Sequence, residues 1–154
     1  MSHLISLTVV LPLAGAVLLL LYCGARPAAA QRIAAGCAAA TVGAALWTLC
    51  GPTPAVAEEA EFIWWFDDGL TLWLLLCTSL LALAAVLMTP PAAHARPHLF
   101  FGLLLLLQAG LQVVFAAGQM VWMFVAWEAS RLSLYCRIGG WGGSERRAAA
   151  MKFF

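Results

Sequence analysis

Long apolar runs constrain the fold of this chain more than any other feature of its sequence. Five runs are close to membrane-spanning length, and they cover about 4–22, 33–49, 70–88, 99–117 and 120–138. A helix needs about 20 mainly apolar residues to cross a hydrocarbon core about 30 Å thick. Only 10% of the residues are charged, against about 25% in soluble domains. We therefore predict an all-α, polytopic membrane protein with five transmembrane helices, forming a single transmembrane domain over residues 1–154.

The loops alternate between basic and non-basic, and this alternation predicts an orientation. Basic residues follow the first, third and fifth runs: Arg26, Arg32, Arg96, Arg146, Arg147 and Lys152. The loop before the third run has no Lys or Arg and carries five acids: Glu58, Glu59, Glu61, Asp67 and Asp68. Because cytoplasmic loops are enriched in Lys and Arg, we expect the amino terminus outside and a tail over 139–154 in the cytoplasm. The expected location is the bacterial inner membrane.

Two local patterns refine this arrangement. Trp64, Trp65 and Phe66 precede the third run, where an aromatic belt anchors a helix at the membrane interface. In the second run, the pairs Gly36/Ala40 and Ala39/Gly43 are small-xxx-small steps that allow close helix packing. No Lys or Arg precedes the first run, which is unlike a signal peptide, so we expect the first helix to be retained.

The fifth run contains charged residues at membrane depth. Glu128 is eight residues after Met120, about 12 Å along a helix, and Arg131 follows three residues later. Each charge at a helix centre costs about 2.5–3.5 kcal/mol on insertion scales, so such residues are candidate functional sites. Arg137, close to the cytoplasmic end, is expected to extend its guanidinium to the interface.

Three interpretations of Glu128 follow from the residue types. It is a proton relay, a structural partner locked to Arg131, or a neutral acid that fixes the packing of a helix seam. The residues alone leave all three open, and they also give no sign of a redox centre. The sequence has no Cys-x-x-Cys pair and no G-x-G-x-x-G, and Pro97 separates His94 from His98. We therefore expect no cofactor, no metal, no bound nucleotide and no nucleic acid.

The carboxyl-terminal residues resemble one family closely. Trp127-Glu128 precedes the segment Ile138-Gly-Gly-Trp-Gly-Gly143, which is followed by Arg146 and by Ala149-Ala-Met-Lys-Phe-Phe154. This order is similar to subunit M, the antiporter-like chain 4 type, of proton-translocating NADH:quinone oxidoreductase, or respiratory complex I. The segment Asp68-Gly-Leu-Thr-Leu72 also resembles the start of helix three in that family. The resemblance covers about Asp67 to Phe154, and residues 1–50 match only in hydropathy.

The resemblance implies a function and a set of partners. Family members have about fourteen helices built around inverted repeats, and they move protons while electron transfer occurs elsewhere in the complex. It implies that Glu128 corresponds to the helix-five glutamate that relays protons, with Arg131 as a candidate charge partner. It also implies that other membrane subunits and the lipid bilayer surround the chain, and that the chain has no redox site of its own.

The chain also departs from the family pattern. Arg131-Leu-Ser-Leu134 stands where an apolar residue and Ile-Pro-Met are usual, Gln119 replaces an acid, and Arg137 replaces an apolar residue. Arg131 is expected to stand beside Glu128 as a fixed cation, an arrangement that suits a proton relay poorly. We expect a fragment, the amino-terminal third of such a subunit. The alternatives are a non-catalytic membrane scaffold or assembly piece, and a fragment of a sodium/proton antiporter relative; whether the chain serves an enzyme stays open.

Overall fold

The described part of the chain is helical throughout. The computed structural model describes residues 2–21, 26–51, 65, 68–90 and 96–153. Its six helices are α1 (Ser2–Leu21), α2 (Pro27–Cys50), α3 (Gly69–Met88), α4 (Pro97–Ala116), α5 (Met120–Trp141) and α6 (Arg146–Phe153). Within these residues there is no strand, and the one β-contact is an isolated bridge between Trp65 and Ala117. The all-α prediction is confirmed.

Three of these helices are long and apolar enough to cross a membrane. They are α2, α3 and α4, and α1 contains a shorter apolar helix, Ile5–Leu21. Helix α5 is not among them, since three charged residues interrupt it: Glu128, Arg131 and Arg137. The membrane-protein prediction is therefore supported, while the crossing of the membrane by five helices stays a prediction.

Several helix ends differ from those predicted from the apolar runs. Helix α2 begins at Pro27, whereas the run suggested residue 33, because proline is well suited to the first position of a helix. Arg32, predicted in a loop, consequently lies within α2. Helix α5 continues beyond 138 to Trp141, and α6 occupies much of the predicted tail over 139–154. Three consecutive alanines favour α6 energetically, since alanine is the best helix former.

Helix α4 is the centre of the bundle and contacts α1, α2, α3 and α5. Two of its glycines allow neighbouring helices to approach closely. A Cβ atom at Gly102 would lie 3.1 Å from the side chain of Leu20 on α1. A Cβ atom at Gly110 would lie 3.2 Å from the carbonyl oxygen of Ala126 on α5 and would meet the hydroxyl of Ser130. The short Gly118-Gln119 connection thus joins α4 and α5 as a tight antiparallel pair.

Helix α2 packs within the bundle, but on a different face from the predicted one. Its buried positions are Ala30, Ala34, Ala38, Thr41, Ala44, Ala45 and Thr48. Gly36, Ala39, Ala40 and Gly43 are exposed, and a Cβ atom at either glycine would have nothing within 4 Å. The small-residue steps are therefore not the surface of α2 that contacts the other described helices. A helix that is small or apolar all round gives little periodic signal for its buried face.

The basic helix ends lie together at one end of the bundle. Gln31, near the start of α2, donates hydrogen bonds of 3.0 Å to the carbonyl oxygens of Val86 and Thr89 at the end of α3. The rings of Phe100, in the first turn of α4, and Trp141, at the end of α5, are 5.5 Å apart. Arg26, Arg96 and Arg146, which flank these helix ends, are thus at the same end.

The opposite end contains the start of α3 and the α4–α5 turn, which the bridge between Trp65 and Ala117 brings together. Asp68 precedes α3 at this end. Of the predicted aromatic anchor, Trp64 and Phe66 lie outside the described residues, as do the other four acids of the acidic loop.

Candidate functional site

Glu128 and Arg131 form an ion pair on α5. Nη1 of Arg131 donates a hydrogen bond of 2.9 Å to Oε1 of Glu128, one helical turn away. The side chains remain 36% exposed for Glu128 and 31% exposed for Arg131. The two candidate site residues are therefore in direct contact with each other. The described helices do not enclose the pair.

The pair lies close to the middle of α5. The helix has 22 residues, so it is about 33 Å long, and Glu128 is about 12 Å from its start at Met120. If α5 crosses the bilayer, both charges lie within the hydrocarbon core, about 30 Å thick. Pairing reduces the free-energy cost of burying them there, since an unpaired charge in a low dielectric is the more costly state.

The ion pair is on the face of α5 that points away from α4. Ala126, Ser130 and Ser133 are the buried residues of α5. Successive residues of a helix are about 100° apart around its axis. Glu128 is two positions from both Ala126 and Ser130, so it lies on nearly the opposite side of α5 from these buried residues. The hydroxyls of Ser130 and Ser133 donate to backbone carbonyls of α5, at 2.8 and 2.9 Å. Ser130 and Ser133 therefore face α4 and not Glu128.

Apolar side chains surround the pair on this outer face. Exposed large residues of α5 include Val121, Phe124, Val125 and Leu132. In the part of the chain that the structure describes, helices α1 to α4 do not cover them. The face that carries Glu128 is thus available to lipid or to helices of other polypeptides.

A second polar group, which the sequence analysis did not single out, lies inside the bundle. Gln108 and Gln112 of α4 are 2% and 0% exposed. Nε2 of Gln112 donates a 2.8 Å hydrogen bond to Oγ of Ser79 on α3. Both amide atoms of Gln108 and Oε1 of Gln112 have no partner among the described residues. Their spacing of four in an otherwise apolar run was the available signal, since it places both on one helix face.

Arg137 packs against the first turn of α4, at the basic end of the bundle, and its extension to the membrane interface stays a prediction. Its guanidinium carbon lies 4.5 Å from the centroid of the Phe100 ring, and its Nε atom is buried without a hydrogen-bond partner among the described residues. A cation above an aromatic ring is attracted by the electron-rich face, which accounts for this contact. Arg137 therefore joins α5 to the first turn of α4.

No metal centre is assembled by the described residues, since no group of three or more His, Cys, Asp or Glu is close enough to hold an ion. His98 lies in the first turn of α4, whereas His94 is outside the described residues. The chemistry that this part of the chain offers is therefore ionic and hydrogen-bonding: a carboxylate beside a guanidinium, and buried amides.

Long apolar helices, three of them of spanning length, define an α-helical membrane protein. A comparison with curated proteins refines this class. Over 86 residues, 56% of its length, the chain is 42% identical to NAD(P)H-quinone oxidoreductase chain 4 of Synechococcus sp. strain WH7803. Proteins of the same description from Prochlorococcus marinus, strain NATL1A and strain MED4 of subspecies pastoris, are 41% and 40% identical over the same length.

The shared stretch is a small part of these relatives. It covers 15% of the Synechococcus protein and 16% of the two Prochlorococcus proteins. No protein-family model matches the chain. The resemblance drawn from the Trp127-Glu128 motif is thus supported over part of the chain, and the activity of the whole relatives is not thereby transferred.

Proposed function

We propose that the chain is the amino-terminal part of a chain 4-type, antiporter-like subunit, subunit M, of an NADH:quinone oxidoreductase. In this proposal it contributes to proton translocation coupled to electron transport and has no redox centre. The similarity to NAD(P)H-quinone oxidoreductase chain 4 carries the proposal. The carboxylate of Glu128, in the middle of a mainly apolar helix, supplies the group that such a role requires.

The proposed arrangement has five helices, α1 to α5, across the bacterial inner membrane. The amino terminus is outside, and α6 lies on the cytoplasmic side. Clustering of Arg26, Arg96 and Arg146 at one end of the bundle supports this orientation, because basic residues are retained in the cytoplasm. Other membrane subunits of the oxidoreductase are the proposed partners, and in this proposal they pack against the outer face of α5.

Glu128 is the proposed proton relay and Arg131 its charge partner. The two groups are in contact at 2.9 Å, so the gain or loss of a proton by Glu128 changes the charge beside the guanidinium of Arg131. Uptake of a proton by Glu128 weakens the ion pair, and the long side chain of Arg131 can then change its conformation. A relay of this kind requires that another group approach Glu128 on the outer face, where the described chain leaves space.

Proton translocation by the assembled oxidoreductase tests the relay. Inverted membrane vesicles that contain the chain within the complex are supplied with NADH, and proton uptake is measured together with NADH oxidation. Glu128→Gln should lower the protons moved for each NADH oxidised, while Glu145→Gln, in the exposed turn before α6, serves as the matched control. An unchanged ratio in Glu128→Gln contradicts the relay role.

A scaffold without proton chemistry is the second candidate function, and the closed Glu128–Arg131 pair favours it. A locked pair contributes to helix stability and not to transport. The two functions differ in their tolerance of substitution. A scaffold should retain assembly in Glu128→Gln and lose it when the exposed small surface of α2 is blocked, as in Gly36→Leu. Recovery of the partner subunits with an affinity-tagged chain measures this difference.

A further inference from the structure

A cleft with a volume of about 400 Å³ lies between α3 and α5, and α4 forms its floor. Ala82 and Ala85 of α3 are on one wall, and Leu107 and Leu111 of α4 are in the floor. Helix α5 contributes Arg137. The cleft is therefore an apolar space with a cation on one side.

The dimensions of the cleft fit one leaflet of a bilayer. The lining residues of α4 extend from Leu104 to Phe115, a rise of about 16 Å along the helix. This length is about half of a hydrocarbon core about 30 Å thick. A helix with its side chains is about 10–12 Å wide, so a single acyl chain fits this narrow volume better than a further helix does.

Two polar groups that line the cleft have unused hydrogen-bonding capacity. Gln108 is 2% exposed, and neither its amide nitrogen nor its amide oxygen has a partner among the described residues. The Nε atom of Arg137 is likewise buried without an acceptor. Buried amides and cations are normally satisfied, because the loss of hydration is otherwise uncompensated. A pure hydrocarbon chain would leave both unsatisfied.

The cation is at the basic end of the bundle. Arg137 contacts Phe100 in the first turn of α4, and Arg96 and Arg146 flank helix ends on the same side. The ion pair found in the described residues joins Glu128 to Arg131, so it does not neutralise Arg137. Basic pockets between membrane helices on the cytoplasmic side bind anionic lipid head groups.

We propose that this cleft binds one anionic phospholipid. Arg137 binds the phosphate, one acyl chain occupies the space between α3 and α5, and the Gln108 amide donates a hydrogen bond to an ester carbonyl. Each feature of the cleft then has a partner: the apolar floor, the cation that has no ion-pair partner among the described residues, and the buried amide. This inference does not depend on proton translocation.

Lipid binding by the purified 154-residue chain tests the proposal. Native mass spectrometry in a mild detergent compares phosphatidylglycerol with phosphatidylcholine that has the same acyl chains. We expect one phosphatidylglycerol to bind about five-fold more tightly, the effect of one Arg near an anionic head group. Arg137→Gln should remove the preference, while Arg147→Gln, exposed on α6 and outside the cleft, should retain it. Equal binding of the two lipids, or equal effects of the two substitutions, overturns the proposal.

Two further variants separate the acyl-chain and ester contacts from charge alone. Ala85→Leu narrows the cleft without changing any charge, and it should weaken the binding of both lipids. Gln108→Leu should abolish a preference for ester-linked over ether-linked phosphatidylglycerol. Circular dichroism and thermal unfolding establish that each variant is folded. Unchanged lipid binding in folded Ala85→Leu overturns the site, as does displacement of the lipid by inorganic phosphate.

Discussion

Nη1 of Arg131 lies 2.9 Å from Oε1 of Glu128 on the face of α5 that points away from α4. The charge that pairs with the candidate relay is thus on its own helix, one turn away. This geometry links two properties of the chain, the chemistry of Glu128 and the ability of α5 to enter a membrane.

The coupling free energy between the two charges can be measured from the membrane insertion of α5 and of its variants. Glu128→Leu and Arg131→Leu each remove a costly charge, but each also removes the ion pair between them. The double substitution should therefore favour insertion by more than the sum of the single ones, with an excess of about 1 kcal/mol. Fractions of inserted and non-inserted chain after translation with microsomes give the free energies. Additive effects would show that the pair does not stabilise α5.

Close packing of α4 against α5 predicts a large effect at Gly110. A leucine there has to displace Ser130 and the backbone at Ala126, and overpacking of this kind costs about 1–3 kcal/mol. Gly36→Leu is the matched control, because a Cβ atom at that position on α2 meets nothing within 4 Å. Unfolding in mixed detergent micelles should show a loss of stability for Gly110→Leu alone. Equal stability of the two variants would contradict the packing of this hairpin.

The hydrogen bond between Gln112 and Ser79 predicts an asymmetric response to substitution. The hydroxyl of Ser79 also donates to the carbonyl oxygen of Leu75 at 2.7 Å, so it keeps a bond if Gln112 is lost. Gln112→Leu also removes a buried oxygen that has no partner among the described residues, and we expect a change below about 0.5 kcal/mol. Ser79→Ala instead leaves the amide of Gln112 unsatisfied and should destabilise by about 1–3 kcal/mol.

Thermal unfolding in detergent compares these two single variants with the double variant Gln112→Leu/Ser79→Ala. The double variant should regain most of the stability that Ser79→Ala loses, because both polar partners are then absent. A larger loss in Gln112→Leu than in Ser79→Ala would reverse the expected order and contradict the proposed satisfaction of Ser79 by Leu75.

The hydrogen bonds of Gln31 indicate how α2 and α3 are joined at the basic end of the bundle. Its amide nitrogen bonds to the last carbonyl groups of α3, at Val86 and Thr89, and these have no partner in their own helix. Gln31→Leu should therefore destabilise the chain by about 1–3 kcal/mol. Gln119→Leu is a suitable control, since Gln119 makes no side-chain cap hydrogen bond before α5. Hydrogen exchange at the end of α3 should increase in Gln31→Leu and not in the control.

The sequence predicted the helices better than their contacts. Apolar runs of spanning length indicated α1 to α5 correctly, because length and hydropathy are local properties. Helix starts at Pro27 and Pro97 were placed two to six residues late, since the prediction followed hydropathy and did not weigh the preference of proline for a first turn. Helix α6 was predicted as part of a tail because it is short and contains three basic residues, so it forms no apolar run.

The sequence did not predict which face of each helix is buried. Mainly apolar helices have no polar side to exclude from the core, so periodicity gives little information. The correct face of α2 depends on contacts with α1, α3 and α4, and the outward direction of Glu128 depends on Gly110 receiving Ser130. Both are properties of pairs of helices. The Glu128–Arg131 contact was predictable, since residues three apart on a helix are neighbours.

The free energy of inserting α5 into the membrane is close to balanced, so its crossing is the part of the topology that small effects can change. Two central charges cost about 2.5–3.5 kcal/mol each, and an apolar residue returns about 0.3–0.6 kcal/mol, so about a dozen apolar residues balance them. We expect the attraction between Glu128 and Arg131 to decide the balance in favour of crossing. The turn at Gln119 should then be outside and the turn at Ser144 in the cytoplasm.

Cysteine labelling distinguishes these sides. In a background without the native cysteines, Gln119→Cys should react with a membrane-impermeant maleimide added to intact spheroplasts. Ser144→Cys, in the exposed turn between α5 and α6, should react only after the membrane is permeabilised. Glu128→Leu in the Ser144→Cys background removes the ion pair with Arg131, and it serves to test the contribution of the pair. Labelling of both turns from outside would show that α5 does not cross, and the relay proposed for Glu128 would then lose its membrane setting.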